Sequence, residues 1–283
     1  MTSGDIMNYK ISEVSNGILI SGITRFDLES TLDCGQAFRW EQQNGKWTAI
    51  AHAKRIYIYS TESGILIEGA TLDEFNTIWR NYFDLDRDYD EIVSNISSHD
   101  KLKEISDFAG NIRILKQDAW EALCSFIISQ NNNIPRIKGI IERLCKAYGE
   151  DIGCGYSFPS AETLASLTVD DLAELRSGFR AKYIIDAAQK VASGEVNLEK
   201  LSYIPIEDAI NELTKIKGVG IKVANCTLLF GCGRIECFPV DVWIKRAMDT
   251  LFDGELPEEA VKYAGIVQQY IFHYARMTKL RFD

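Results

Sequence analysis

Long apolar runs are missing from this 283-residue chain: none approaches the roughly 18 residues that a membrane-spanning helix needs, so no span is expected. The opening stretch "MTSGDIMNYK" lacks a basic segment followed by an apolar one, so no secretory leader is expected. Histidine is scarce; His52, His99 and His273 are scattered and read as structural. The seven cysteines (Cys34, Cys124, Cys145, Cys154, Cys226, Cys232, Cys237) are odd in number and dispersed, which implies no disulfide framework and suits a reducing cytosol. Positive charge is short as well. The formal net charge of −10 argues against a nucleic-acid partner, until its distribution is examined.

Residues 1–110 carry 10 basic and 18 acidic side chains, a net of −8, whereas residues 111–283 carry 21 and 23, a net of −2. Much of the acid lies in "LDEFNTIWRNYFDLDRDYDE", which reads as a solvated face, so a local basic surface in the second part stays open. At 46% hydrophobic and 25% charged, the composition is that of a globular protein with a substantial core and two or three sub-domains.

The first third reads as β-rich. Asn16-Gly17, Asn44-Gly45 and Ser63-Gly64 are turn signals between alternating or β-branched runs, predicting an antiparallel sheet over roughly residues 8–70. From Thr71 the period shifts toward 3.6, with Thr71 or Asp73 as a cap. Segments such as "DAWEALCSFIISQ", "IPRIKGIIERLCKAYG", "VDDLAELR", "PIEDAINELTKI", "IKVANCTLLFGCG" and "YAGIVQQYIFHYARMT" each predict a helix. The fold class is α+β: a sheet domain over 1–110, then a helical domain over 111–283.

"INELTKIKGVGIKVANCTLLF" reads as helix, tight turn, helix, spanning about 207–230. Gly218 and Gly220 permit close backbone approach, and amides at the second helix's N-terminus form a site for an anion such as a DNA phosphate. A plain helix–helix turn explains the same residues. Lys222 at that positive helix end is disfavoured as an ammonium unless an anion arrives, or unless a neutral, nucleophilic amine is wanted. Asp241, in "FPVDVWIKR", reads as an N-cap that could also face the lysine across a cleft. A lysine and a carboxylate are what displacement at a sugar carbon requires.

The set "GVGIKVANC … FPVDVW", with "CGQAFRW" (34–40), "SQNNNIPRIKGIIERLC" (129–145), "GFRAKYI" (178–184) and "YAGIVQQYIF" (263–272), resembles the eukaryotic-type 8-oxoguanine DNA glycosylase/AP lyases of the helix-hairpin-helix superfamily. The resemblance implies a helix-hairpin-helix glycosylase core that flips and excises 8-oxoguanine from duplex DNA through a lysine Schiff base, with β-elimination at the resulting site. It implies Lys222 as nucleophile and Asp241 as support for the oxocarbenium-like transition state. Gly35 would sense the proton on N7 through its carbonyl; Gln268 and Phe272 would bind and stack the base, with Cys226 and Pro239 also lining the pocket. Asn131, with Asn132, would fill the vacated gap; Arg136 and Arg180 would read the orphaned cytosine beside the wedge Phe179. Gly218, Gly220 and Trp243 would approach phosphate, and the carbonyls of Thr214, Ile216 and Val219 would hold a structural cation.

The chain departs from the best-known pattern where Phe179 replaces a tyrosine, Trp243 replaces a histidine and Pro135 precedes Arg136. Its cysteines lack the spacing of the superfamily's iron–sulfur enzymes, so no cluster and no cofactor is expected. The expected partner is duplex DNA containing 8-oxoguanine, with no membrane contact, for a monomer in a bacterial cytoplasm. The alternatives are a superfamily glycosylase for alkylated bases or mismatched adenine, or a non-catalytic helix-hairpin-helix DNA-binding protein.

Overall fold

The computed structural model describes residues 9–279; positions 1–8, with which the expected sheet domain begins, and 280–283 lie outside the described residues. Six strands, β1 (Lys10–Val14), β2 (Gly17–Ser21), β3 (Glu41–Gln43), β4 (Lys46–Ala51), β5 (Lys54–Thr61) and β6 (Gly64–Glu68), form one antiparallel sheet in the order β1-β2-β6-β5-β4-β3. Asn44-Gly45 makes the β3–β4 turn with φ of 52° and 78°. At the other two signals the glycine opens the following strand, paired Val14↔Gly17 and Thr61↔Gly64. There a Cβ on Gly17 would stand 2.1 Å from Ile67 O, and one on Gly64 2.1 Å from Ile20 O, so the neighbouring strand leaves no room for a side chain. The β4–β5 turn uses His52-Ala53 in the left-handed region (φ 50° and 56°), which no glycine or asparagine announces.

The helices are α1 (Leu28–Leu32), α2 (Leu72–Glu74), α3 (Arg80–Tyr82), α4 (Tyr89–Ile96), α5 (Asp100–Ala109), α6 (Ala119–Ser129) and α7 (Ile134–Tyr148). After them come α8 (Ala161–Ala165), α9 (Ala181–Ala192), α10 (Ile206–Thr214), α11 (Ile221–Cys232), α12 (Val242–Phe252), α13 (Glu258–Val261) and α14 (Ala264–Met277). Thr71 and Glu74 close a reciprocal capping box at the start of α2, and a π turn, Phe75–Trp79, joins α2 to α3. The α+β architecture expected from the sequence is the one observed.

Alternate residues of β2, β5 and β6 (Ile18, Ile20, Ile56, Ile58, Ile65, Ile67) are buried and form a core with Trp40, Phe75, Trp79 and Phe83. Each such aromatic contributes roughly 4–6 kcal/mol of gross burial energy at about 25 cal/mol per Å². A second, larger core fills the helical array. The acidic stretch expected to be solvated is only partly so: its helical period turns Phe75, Trp79, Tyr82 and Phe83 inward and carries Asp84 with them, 2% exposed. Burial opposes ionisation of Asp84, but Arg87 and Lys116 hold its carboxyl below the ordinary value.

"VDDLAELR" does not form the expected helix; only a 3₁₀ turn, Ala173–Leu175, appears, followed by Arg176 at φ 54°. So short a segment nucleates poorly. Its carbonyls find donors elsewhere: Leu175 O accepts from Arg143 Nε at 3.2 Å and Nη2 at 2.9 Å.

Candidate active site

The hairpin between α10 and α11 is shaped by α9. Gly218 takes φ +80°, and a Cβ there would fall 2.4 Å from the Tyr183 ring, so glycine answers both the backbone and the packing. Asp186 Oδ2 accepts from Lys217 N at 2.7 Å, and Lys190 Nζ donates to Lys215 O at 2.5 Å. Tyr183, Asp186 and Lys190 share one face of α9 by their spacing. Beneath the hairpin, Glu212 pairs with Lys200 at 2.8 Å and Lys215 at 2.7 Å; burial opposes ionisation, yet these ammonium groups bring its carboxyl down to about 2.

Gly220 is the N-cap of α11, in extended geometry (φ −100°, ψ −176°), and no side chain caps that helix end. A Cβ on Gly220 would meet no atom within 4 Å, and Ile221 beside it is 70% exposed. The first amides of α11 therefore open onto a free surface. Lys222, in the first turn of α11, lies 5.5 Å from the Phe126 ring of α6, and among the described residues it forms no ion pair with a carboxylate. One turn further on, Cys226 is buried; burial pushes its thiol up to about 11, with Lys222 acting against that rise and Asp241 adding to it. Those opposed influences put Lys222, Cys226 and Asp241 in one electrostatic neighbourhood. Asp241 caps α12, Oδ1 accepting from Ile244 N at 2.8 Å, while Oδ2 makes no hydrogen bond to a described residue.

The helix α14 packs against α12. Gln268, 6% exposed, donates from Nε2 to Pro239 O at 3.1 Å, which fixes the amide's orientation and leaves Oε1 buried with no partner among the described residues. A methyl group on Gly35 (φ +85°) would sit 3.8 Å from Phe272 Cε1 and 3.6 Å from Ile134 Cδ1, so the Gly35 backbone, Phe272 and the start of α7 converge. The Gly35 loop is rigidly held. Buried Gln36 donates to Thr31 O (2.8 Å) and Arg113 O (2.9 Å) and accepts from Leu115 N (2.9 Å). Gln269 Nε2 donates to Cys34 O at 3.1 Å, and Gln117 Nε2 to Gln36 O at 2.6 Å. Nothing in the sequence alone marks these three glutamines or the α9 face as supports of the site. Gln36 lies within "CGQAFRW", but only its burial reveals its work.

The α6–α7 loop presents Asn131, exposed, in the left-handed region at φ 47°. Asn132 Nδ2 donates to Ile128 O at 3.1 Å, and Asn133 caps α7 by accepting from Arg136 N at 3.0 Å. Pro135 falls in the first turn of α7, where proline is accommodated, so it leaves the helix undistorted. Phe179 is 48% exposed and packs edge-on against Tyr183 at 5.8 Å. Arg136 is exposed, whereas Arg180 is 2% exposed and turned inward onto backbone carbonyls. Trp243 (53% exposed), Val242 (65%) and Val240 (47%) make an apolar rim beside Asp241. In the hairpin, Ile216 O accepts from Val219 N at 3.0 Å, and Thr214 is the last residue of α10. Among the described residues no group of three or more His, Cys, Asp or Glu is placed to hold a metal ion, and no helix is long and apolar enough to cross a membrane.

Two family models match successive parts of the chain. Residues 18–123 match the family model for the 8-oxoguanine DNA glycosylase N-terminal domain. Residues 124–262 match that of the HhH-GPD superfamily of base excision DNA repair proteins. The N-glycosylase/DNA lyase of Saccharomyces cerevisiae is 33% identical over 272 residues, covering 85% of this chain and 70% of that protein. The 8-oxoguanine glycosylase/lyase of Clostridium acetobutylicum, solved with double-stranded DNA containing cytosine opposite 8-oxoguanine, superposes with a TM-score of 0.90 at 36% identity, over 97% of this chain and 100% of that one. MBOgg1, solved with a low-affinity DNA ligand, gives a TM-score of 0.90 at 40% identity over the same shares.

Proposed function

Since this chain belongs to the 8-oxoguanine DNA glycosylase/lyase family, whose members are bifunctional base-excision enzymes, we propose that its own cleft extrudes 8-oxoguanine from duplex DNA and excises it with Lys222. The observation that carries this reading is Lys222 itself: at an uncapped helix N-terminus, without a carboxylate partner, in the neighbourhood of Cys226 and Asp241.

In this reading the first amides of α11, at Gly220 and beyond, take a phosphate, with Gly218 fixing the hairpin and Trp243 at the rim. Lys222 Nζ forms a bond to C1′ of the extruded nucleotide as the glycosidic bond breaks, and the base departs with the bonding pair. Loss of the amine proton and opening of the sugar give a Schiff base, from which β-elimination cuts the strand. Asp241 Oδ2 faces the positive charge that develops on the sugar, while Oδ1 keeps its cap. The orphaned Gln268 Oε1 accepts from the Watson–Crick edge of the base, Phe272 stacks on it, and Cys226 and Pro239 close the other side. The Gly35 carbonyl accepts from the N7–H of 8-oxoguanine; guanine has a lone pair there and is repelled. Asn131 and Asn132 fill the gap, Phe179 wedges the stack, and Arg136 and Arg180 read the orphaned cytosine. A monovalent cation on the carbonyls of Thr214, Ile216 and Val219 would stiffen the hairpin, since the Ile216 carbonyl keeps a second lone pair beside its bond to Val219 N.

Single-turnover excision tests the proposal. Duplex with 8-oxoguanine opposite cytosine should be cut, while guanine or an alkylated base in that position is left. Equal release of an alkylated base would transfer the chain to the other glycosylase class.

A further inference from the structure

The aromatic wedge and the hairpin are both built onto one face of α9. Phe179 stands in the 3₁₀ turn Gly178–Arg180 that runs straight into the helix, and Tyr183, Asp186 and Lys190 follow it at helical spacing. The Tyr183 ring meets Phe179 edge-on at 5.8 Å. The Gly218 backbone rests against the same ring, so closely that a Cβ there would fall 2.4 Å from Cδ2. One turn on, the Asp186 carboxylate accepts from Lys217 N at 2.7 Å, and Lys190 Nζ donates to Lys215 O at 2.5 Å. Lys215, Lys217 and Gly218 are thus each held by a side chain of one helix. The other face of α9 is locked in the core: Ile184, Ala187 and Ala188 are fully buried, and the helix packs against α8 and α6.

We propose that Tyr183 and Asp186 are positioning residues that make α9 a strut between the Phe179 wedge and the first amides of α11, so that wedge and phosphate grip engage the duplex in a fixed register. This rests on the roles given above to Phe179 and to those amides. A carboxylate near a phosphate site is an electrostatic cost. Here the Lys190 ammonium stands 3.2 Å from Asp186 and offsets it, so the pair supplies a charge-assisted bond to the hairpin with no net charge. Tyr183 works by contact. Because Gly218 has no side chain, its backbone touches the ring directly, and the ring's other neighbour is the wedge itself. A brace serving the hairpin alone would need no contact with Phe179. Seven residues separate Phe179 from Asp186, about 10 Å at about 1.5 Å per residue, a spacing that a packed helix keeps and a free loop does not.

The test is a double-mutant cycle on single-turnover excision of 8-oxoguanine opposite cytosine, with Phe179→Ala, Asp186→Ala and the two combined. Affinity for a duplex carrying an abasic-site analogue is measured alongside. Asp186→Ala should excise about tenfold more slowly than the parent. Asp186→Asn, whose side-chain oxygen still accepts from Lys217 N, should recover most of that loss. With the wedge gone the strut has nothing to align, so adding Asp186→Ala to Phe179→Ala should cost only about twofold, a coupling of about fivefold. Tyr183→Leu, combined with Phe179→Ala in the same way, should show the same coupling. Additive losses in the Asp186 cycle would overturn the proposal, leaving Asp186 a brace for the hairpin alone. So would a parent rate in Asp186→Ala, or an Asp186→Asn no faster than Asp186→Ala. If Tyr183→Leu melts early, the Asp186 cycle decides. A parent that excises 8-oxoguanine from no duplex would defeat the functional reading, and the same cycle on duplex affinity would still judge the strut.

Discussion

Alanine at the two hairpin glycines should separate folding from DNA binding. Gly218 holds φ +80°, which costs an alanine about 1–2 kcal/mol. Its new methyl would also fall 2.4–2.6 Å from three atoms of the Tyr183 ring. Such overpacking costs about 1–3 kcal/mol, so Gly218→Ala should lose about 2–5 kcal/mol, or roughly 4–20 °C in melting temperature. At Gly220 the backbone is extended and no atom lies within 4 Å of the new methyl. The lost flexibility of the unfolded chain and the poorer N-cap offset each other to within about 1 kcal/mol. The methyl would nonetheless stand where a phosphate meets the first amides of α11. Gly220→Ala should therefore melt like the parent and bind a duplex carrying an abasic-site analogue about tenfold more weakly, a loss near 1.4 kcal/mol. Thermal melts and fluorescence anisotropy give both quantities. Parent-like binding by Gly220→Ala, or a parent-like melt of Gly218→Ala, would refute the reasoning.

Two further outcomes are expected. Asp241→Asn should keep its melting temperature, because asparagine caps α12 as well as aspartate does, while excision falls about 10²–10³-fold with the missing charge; a parent rate would reduce Asp241 to a cap. Burial pushes the Glu121 carboxyl up from 4.5 to about 7, against the pull of Arg39 3.6 Å away. A folded-state value above the unfolded one stabilises the protein fully below the unfolded value and is lost as pH rises through about 7. Glu121→Gln should shrink the difference in melting temperature between pH 5 and pH 8; an unchanged difference would count against the assignment.

The sequence announced what is local. The Asn44-Gly45 turn, the Thr71 cap and the Gly218 hairpin each follow from one residue's backbone preference, and the helices around Lys222, Asp241 and Gln268 follow from period and caps. What it hid depends on distant partners. The His52-Ala53 turn is imposed by the pairing of β4 with β5, and the 3₁₀ turn at Ala173–Leu175 by arginines on other elements. Asp84 is buried because Lys116, a distant residue in sequence, joins Arg87 there. Arg180 shows the limit most clearly. A motif fixes its position in the chain, but only the packed loops determine that its guanidinium points inward.

Borohydride trapping on duplex DNA with 8-oxoguanine opposite cytosine tests the central claim most directly. The parent protein should form a covalent adduct with the lesion strand and none with the undamaged duplex. Lys222→Gln should bind the lesion duplex yet form no adduct and release no base. A trapped adduct of parental yield in Lys222→Gln would contradict the account, because another amine would then be the nucleophile.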